Sequence, residues 1–408
     1  MATDVAPYQN IGPLEKYRNE AWKCLRCGLC RMVNPERVKS WKWSSQCPAG
    51  SRFLFEAYYG SGKQEMVRAL TAHPPELALS RRLQHIIYTC TLCGACQATC
   101  NYVKDLEPTN ASVALREYAV REGWGPLPEH EPLIKSILNY DNPWLQPRAA
   151  RSRWARKQGL PKVKDAAKDK VEVLYYPGCT ASYDPFIQDV ARDVVRLLGA
   201  AGVDFGILGK EEICCGSTIL RVGDRERFEI VRKKNTESLN RTGAGTILTA
   251  CAGCYSTLKR EYGADLQAEV FHIVEYIERL LAEGRLAMQR EVRRKVTYHD
   301  PCHLGRYCGL YDAPREILGR IPGVEFREME RIREWAWCCG AGGGVRTAFP
   351  EEVATWAARL RLEEAADSGA DTLVTACPFC ELNLGEAARG GASGIRVVDI
   401  LALVAEAV

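Results

Sequence analysis

No apolar run in this chain is long enough to cross a bilayer: stretches such as residues 400–408 and 111–115 stop far short of the roughly 18 residues that a span requires. An N-terminal apolar h-region of the secretory kind is missing as well, which argues against a secreted, disulfide-stapled protein. Charge is nearly balanced, with 55 basic against 51 acidic residues and a formal net of +4. No basic stripe interleaved with aromatics of the kind that grips nucleic acid is present. No G-x-G-x-x-G follows a strand-like run, there is no Walker loop, and no flavin site is evident, so hydride chemistry must occur elsewhere. The glycines at 340–344 follow a Cys-Cys turn and read as a loop around a metal group. With 46% hydrophobic residues, the 408 residues suffice for two to three domains of roughly 150 residues each.

What the chain does have is 19 cysteines. Ten of them form two copies of one pattern: Cys179, Cys214-Cys215-Gly216 and Cys251-x-x-Cys254, then Cys302, Cys338-Cys339-Gly340 and Cys377-x-x-Cys380. Equivalent positions lie 123 to 126 residues apart, the mark of an internal duplication. Eight more form two ferredoxin-like runs, Cys24-x-x-Cys27-x-x-Cys30 with Cys47-Pro48, and Cys90-x-x-Cys93-x-x-Cys96-x-x-x-Cys100. Three thiolates spaced by two residues wrap three corners of a cubane, and the fourth ligates the other cluster in two-cluster ferredoxins. The spacing therefore predicts one [4Fe–4S] cluster on Cys24, Cys27, Cys30 and Cys100, and another on Cys90, Cys93, Cys96 and Cys47. In the first run Asn34-Pro35 stands where Cys-Pro is usual, so residues 36–46 must loop out; in the second, Asn101 replaces the customary proline. Zinc wants a tetrahedron from two separated Cys/His pairs, and these runs overfill it.

Residues 1–145 read as helices and loops, with helical composition at 53–59, 62–71, 81–89 and 111–122. The basic, proline-bearing stretch 146–170 reads as an inter-domain linker, with a docking strip for an acidic partner as the alternative. Beyond it, strand-like runs at 171–176, 203–208 and 246–250 alternate with helical ones at 186–198, 225–240 and 270–281. The second copy repeats the order, with strands at 295–299, 324–329 and 372–376 and helices at 313–318, 350–366 and 381–388. The expected architecture is a multidomain α+β chain: a mainly helical ferredoxin-like domain, then an α/β domain in two repeats, 171–290 and 291–408, with largely parallel sheets. Each lone Cys and each C-x-x-C follows the carboxyl end of a strand, where ligands of open α/β sheets collect. Five thiolates then converge per copy, more than a zinc or a simple cubane takes.

The phrases Ile213-Cys-Cys-Gly-Ser217, Asp300-Pro-Cys-His-Leu-Gly-Arg306 and Cys338-Cys-Gly-Ala-Gly-Gly-Gly344, behind a two-cluster ferredoxin region, resemble the fused catalytic iron–sulfur subunit of heterodisulfide reductase. The resemblance covers essentially the whole chain after residue 20. It implies a non-cubane [4Fe–4S] cluster in each five-cysteine set, beside the two cubanes, and cleavage of a disulfide between the pair. Similar subunits relay electrons between flavoproteins and quinone, or serve benzoyl-CoA reductase complexes, so a pure relay is the alternative. Implied partners are a flavoprotein, a membrane cytochrome b-type subunit, or both, in a hetero-oligomer. The chain itself would be cytoplasmic, or peripheral on the inner face of the cell membrane through its partner.

Three further expectations concern single residues. His303, next to Cys302, is the candidate proton or hydrogen-bond donor to a leaving thiolate near neutral pH, with a packing residue as the alternative. His299 and Cys308 read as core residues without a role in the chemistry. Arg306 would offset cluster charge, contact an anionic substrate or form a surface ion pair.

Overall fold

The computed structural model describes residues 11–72, 75–391 and 394–408. The first part is helical, as expected. Its longer helices are Gly60–Thr71, Arg81–Tyr88, Pro108–Arg121 and Glu131–Tyr140. Helix Arg81–Tyr88 starts where the Ser80 hydroxyl accepts from the Leu83 N–H at 3.2 Å, and it buries Leu83, Ile86 and Ile87 on one face. Pro108 opens the next long helix without forfeiting a hydrogen bond, because the first-turn N–H groups have no partner within a helix. That helix packs Ala111, Ala114, Leu115 and Tyr118 inward.

Two parallel sheets follow. In chain order the strands are β1 (Lys164–Asp165), β2 (Val173–Tyr175), β3 (Phe205–Ile207), β4 (Thr246–Thr249), β5 (Glu269–His272), β6 (Arg294–His299), β7 (Val324–Phe326), β8 (Thr372–Thr375) and β9 (Arg396–Asp399). The first sheet runs β1-β3-β2-β4-β5 and the second β7-β6-β8-β9, every described pairing being parallel. β2 and β8 are buried along their whole length, as strands covered on both faces must be. The two sheets are copies: β2-β4-β5 matches β6-β8-β9 in order and direction.

Four sequence expectations need adjustment. Residues 270–281 are not one helix: β5 occupies Glu269–His272, and a helix, Ile273–Ala282, begins only after His272 caps it. β9 and the helix Ile400–Ala407 behind it add to the expected elements. The stretch 350–366 opens with a π-helical turn, Pro350–Thr355, before the α-helix Trp356–Asp367. The segment 146–170, expected as a solvated linker, carries β1 and buries Ala150, Arg151, Trp154 and Ala166. Trp154 packs edge-on against Tyr175 of β2, while all five lysines of the segment are exposed.

Candidate functional site

Both ferredoxin-like loops adopt one backbone shape. Arg26 and Leu92, each just before the middle cysteine, take φ of +52°, and Gly28 and Gly94 follow at +78° and +80°. Such a path turns the chain so that all three thiols of a run face one point. Cys24, Cys27, Cys30 and Cys100 line a single cavity, and the Cys100 thiol feels the other three. Cys47 lies beside Cys90 and Cys93, and Cys96 beside Cys90, Cys47 and Cys93. The fold thus gathers Cys24, Cys27, Cys30 and Cys100 in one group and Cys47, Cys90, Cys93 and Cys96 in another. Between the two groups sits Gly60, where an added Cβ would come 2.8 Å from the Cβ of Cys96 and 3.5 Å from that of Cys30.

The extra residues 36–46 do loop out, and they dock on the second repeat. Glu330 accepts the backbone N–H of Lys39 at 2.7 Å and of Ser40 at 3.0 Å. Arg331, sandwiched between Trp43 and Trp337, donates to the Ser45 carbonyl at 2.7 Å.

The ten duplicated cysteines form one continuous series. Side chains interact in the order Cys179, Cys214, Cys215, Cys254, Cys251 in the first half, and Cys302, Cys338, Cys339, Cys380, Cys377 in the second. Cys251 meets Cys377, so the series crosses from one half to the other. Nine of the ten line one cleft, of about 1350 Å³ including its open mouth, walled also by Leu133, Trp144 and Phe379. On the far side Cys93 of the ferredoxin-like domain contacts Cys338.

All described cysteines are free thiols. Burial pushes the Cys96 and Cys179 thiols well above their ordinary value and Cys47 up to about 12. Neighbouring thiols pull Cys215 down to about 6 and Cys339 and Cys377 well below the ordinary value, so the cleft mixes thiols that resist ionisation with thiols that ionise readily. Thiols so gathered fit a metal group, which takes the place of the protons and neutralises the sulfur charge. Five in each half, together with two sets of four, is the donor inventory of iron–sulfur sites rather than of zinc.

Sequence reasoning missed three arginines that hold this arrangement. Arg116, fully buried, donates to the carbonyls of Ile87, Tyr88, Cys90, Arg221 and Gly343, tying the Cys90 loop to both repeats. Arg151, from the segment expected as a linker, places Nη2 3.0 Å from the Cys179 sulfur and pairs with Glu212 at 3.5 Å, both side chains being 2% exposed. Arg221 is 6% exposed, stacks on Tyr307 and lines the cleft with its Nε and Nη2 unpartnered. None of these sits in a motif; each is one arginine among many in the sequence.

Among the residues singled out from sequence, Arg306 forms no ion pair among the described contacts. It donates to the carbonyls of Cys93 at 2.7 Å, Ala336 at 2.7 Å and Glu334 at 3.2 Å, bridging the ferredoxin-like loop to the second repeat. His303 lies in the cleft, stacked on Tyr307, with Nδ1 3.3 Å from the Cys302 sulfur. Burial, reinforced by Arg221, pushes its pKa down to about 3, so the ring is neutral rather than a cationic proton donor. Cys308 stands apart from the series, next to Ser256. His299 is buried as expected, but it faces Cys339 and Cys380.

A parallel-sheet pair with convergent thiols behind a two-cluster helical domain defines an iron–sulfur oxidoreductase subunit. The cysteine-rich CCG domain family matches residues 173–259 and 296–385, and the 4Fe-4S dicluster domain family matches 20–102. The chain is 35% identical to the HdrD-type subunit of dihydromethanophenazine:CoB–CoM heterodisulfide reductase from Methanosarcina mazei, over 94% of this chain and 93% of that one. It is 33% identical to a probable iron-sulfur-binding oxidoreductase, FadF, of Bacillus subtilis, over 87% of this chain and 51% of that one. Against an EtfAB:quinone oxidoreductase of Syntrophomonas wolfei it is 30% identical, over 90% of this chain and 56% of that one. The chain belongs to the HdrD family of heterodisulfide reductase subunits.

Proposed function

We propose that this chain reduces a disulfide by two electrons within a larger redox complex. Cubane clusters would be held by Cys24, Cys27, Cys30 and Cys100 and by Cys90, Cys93, Cys96 and Cys47. Non-cubane clusters would be held by Cys179, Cys214, Cys215, Cys251 and Cys254 and by Cys302, Cys338, Cys339, Cys377 and Cys380. These groups supply one-electron transfer, with a pair of them at the cleft to match the two electrons of an S–S bond. The observation that carries the reading is the contact of Cys251 with Cys377, which puts both five-thiol sets on one cleft.

The chain's own residues have separate tasks. Leu133, Trp144 and Phe379 give the cleft an apolar wall that excludes water from a bound disulfide. Arg221 holds an unpartnered positive charge beside it, available to the thiolate that forms. The neutral His303 ring stands at Cys302, placed to orient a departing sulfur by a hydrogen bond. Balance requires two electrons and two protons per disulfide, giving two thiols. Electrons come from a partner, a flavoprotein or a membrane cytochrome b-type subunit, and reach the cleft from the ferredoxin-like side, where Cys27 is exposed and Cys93 meets Cys338. On this reading the chain is cytoplasmic, or peripheral on the inner face of the cell membrane through that partner; no described helix is long and apolar enough to cross a membrane.

The second reading, a relay without a small substrate, is favoured by the likeness to an EtfAB:quinone oxidoreductase. Anaerobic oxidation of a reduced dye by added disulfides separates the two. Disulfide-dependent turnover that disappears in both Cys215→Ala and Cys339→Ala supports catalysis at the cleft; turnover that persists in both overturns it.

A further inference from the structure

Besides His303, which stands where the first half has Thr180, the two cleft halves differ at a second position that faces the thiols. His299 ends β6, three residues before Cys302, and Tyr176 stands three residues before Cys179. The Tyr176 hydroxyl is turned away, donating to the Ile213 carbonyl. A ring nitrogen of His299 and the sulfurs of Cys339 and Cys380 instead lie within 4.8 Å of one another.

Which nitrogen carries the proton is fixed by a neighbour. Arg361 Nε, which can only donate, reaches His299 Nδ1 at 3.2 Å. Nδ1 is therefore the acceptor and Nε2 bears the hydrogen. Arg361 is itself held by Glu364 at 2.7 Å, and Glu364 also pairs with Arg331 at 3.0 Å; all three are at most 1% exposed. The matching place in the first half, 16 residues before the C-x-x-C, is Asn235, which donates to the Tyr262 hydroxyl at 3.1 Å. Nε2 of His299 has no partner among the described residues, and the residue is 1% exposed, so bulk solvent does not supply one. A buried N–H left without an acceptor is costly, and the sulfurs of Cys339 and Cys380 lie near enough to take it.

We propose that His299 donates its Nε2–H to a thiolate of Cys339 or Cys380 and thereby raises the reduction potential of the group bound by the second repeat. The role rests on the reading that this repeat holds an iron–sulfur cluster. Hydrogen bonds to sulfur favour the reduced, more negative form, and no histidine does the same in the first repeat. The Arg361–Glu364–Arg331 network, reaching Ser45 in the loop that follows residue 36, makes His299 a positioned donor rather than a free one.

The test is an anaerobic potentiometric titration of the full chain, followed by electron paramagnetic resonance, with iron counted on each sample. In His299→Phe at full iron content, one signal should move to lower potential while the others stay. In His299→Gln, whose amide N–H takes the place of Nε2–H, most of that shift should be absent. Unchanged potentials in His299→Phe, or an equal drop in His299→Gln, overturn the role. Where His299→Phe does not assemble, nitrogen couplings in chains carrying 15N-histidine decide: one coupling lost in His299→Gln supports the contact, and an identical spectrum overturns it. Wild-type chains lacking iron in the second repeat would overturn the cluster assignment, a result visible in the iron count before any titration.

Discussion

Replacing Arg116 with Lys keeps the charge but should loosen the joint between the ferredoxin-like domain and both repeats. The guanidinium satisfies five backbone carbonyls in a fully buried place. An ammonium has three donors on one atom and cannot spread to all five. At least two carbonyls are left unsatisfied, each costing about 1–3 kcal/mol, so the expected loss is roughly 2–6 kcal/mol. The loss is local, because the carbonyls belong to the Cys90 loop with the helix end before it, the 342–344 glycines and the end of the helix Ser217–Arg221. Amide hydrogen exchange in the holoprotein reads it directly. Peptides covering residues 90–96 and 340–346 should exchange about 30-fold or more faster, the lower bound being 2 kcal/mol at 1.4 kcal/mol per decade, while β2 and β6 keep wild-type rates. Unchanged exchange in those two loops would refute the reasoning that Arg116 holds them together.

Three other outcomes follow from the same contacts. Gly343→Ala places a Cβ 2.8 Å from the Cys90 carbonyl, on a residue with φ of +63°, and should speed iron loss to a chelator from the ferredoxin-like domain. Shortening residues 36–46 removes the contacts with Glu330 and Arg331; the melting temperature should fall, and an unchanged one contradicts the docking role of this loop. Burial raises Asp193 from 3.8 to about 6 against the pull of Arg196. Its contribution to stability is present below pH ~4 and is lost as pH rises to ~6, because the unfolded chain gives up its proton first. The fall is at most about 3 kcal/mol by linkage, and urea midpoints of Asp193→Asn should show a flatter decline across that window.

The α+β class, the duplication and the cysteine series could be read from the chain, because spacing carries metal-binding geometry without help from tertiary structure. The strands β2, β4, β6 and β8 were legible for a related reason: each is buried towards its carboxyl end and stops two to four residues before a cysteine. β5 and β9 were not, since four-residue strands that run straight into helices blur both periodicities. The arginines 116, 151 and 221 and the histidine–arginine contact at 299 and 361 left no local trace. Their meaning comes from carbonyls and sulfurs more than 25 residues away in sequence. The basic stretch 146–170 misled because its charge is conspicuous in sequence, whereas the buried Arg151 and Trp154 that fix it in place are not.

Iron and acid-labile sulfide per chain, counted after strictly anaerobic purification, test the central claim most directly. About 16 of each, four per cluster in four clusters, is the predicted result. About 8 of each would leave only the ferredoxin-like pair filled and would contradict the account of the cleft.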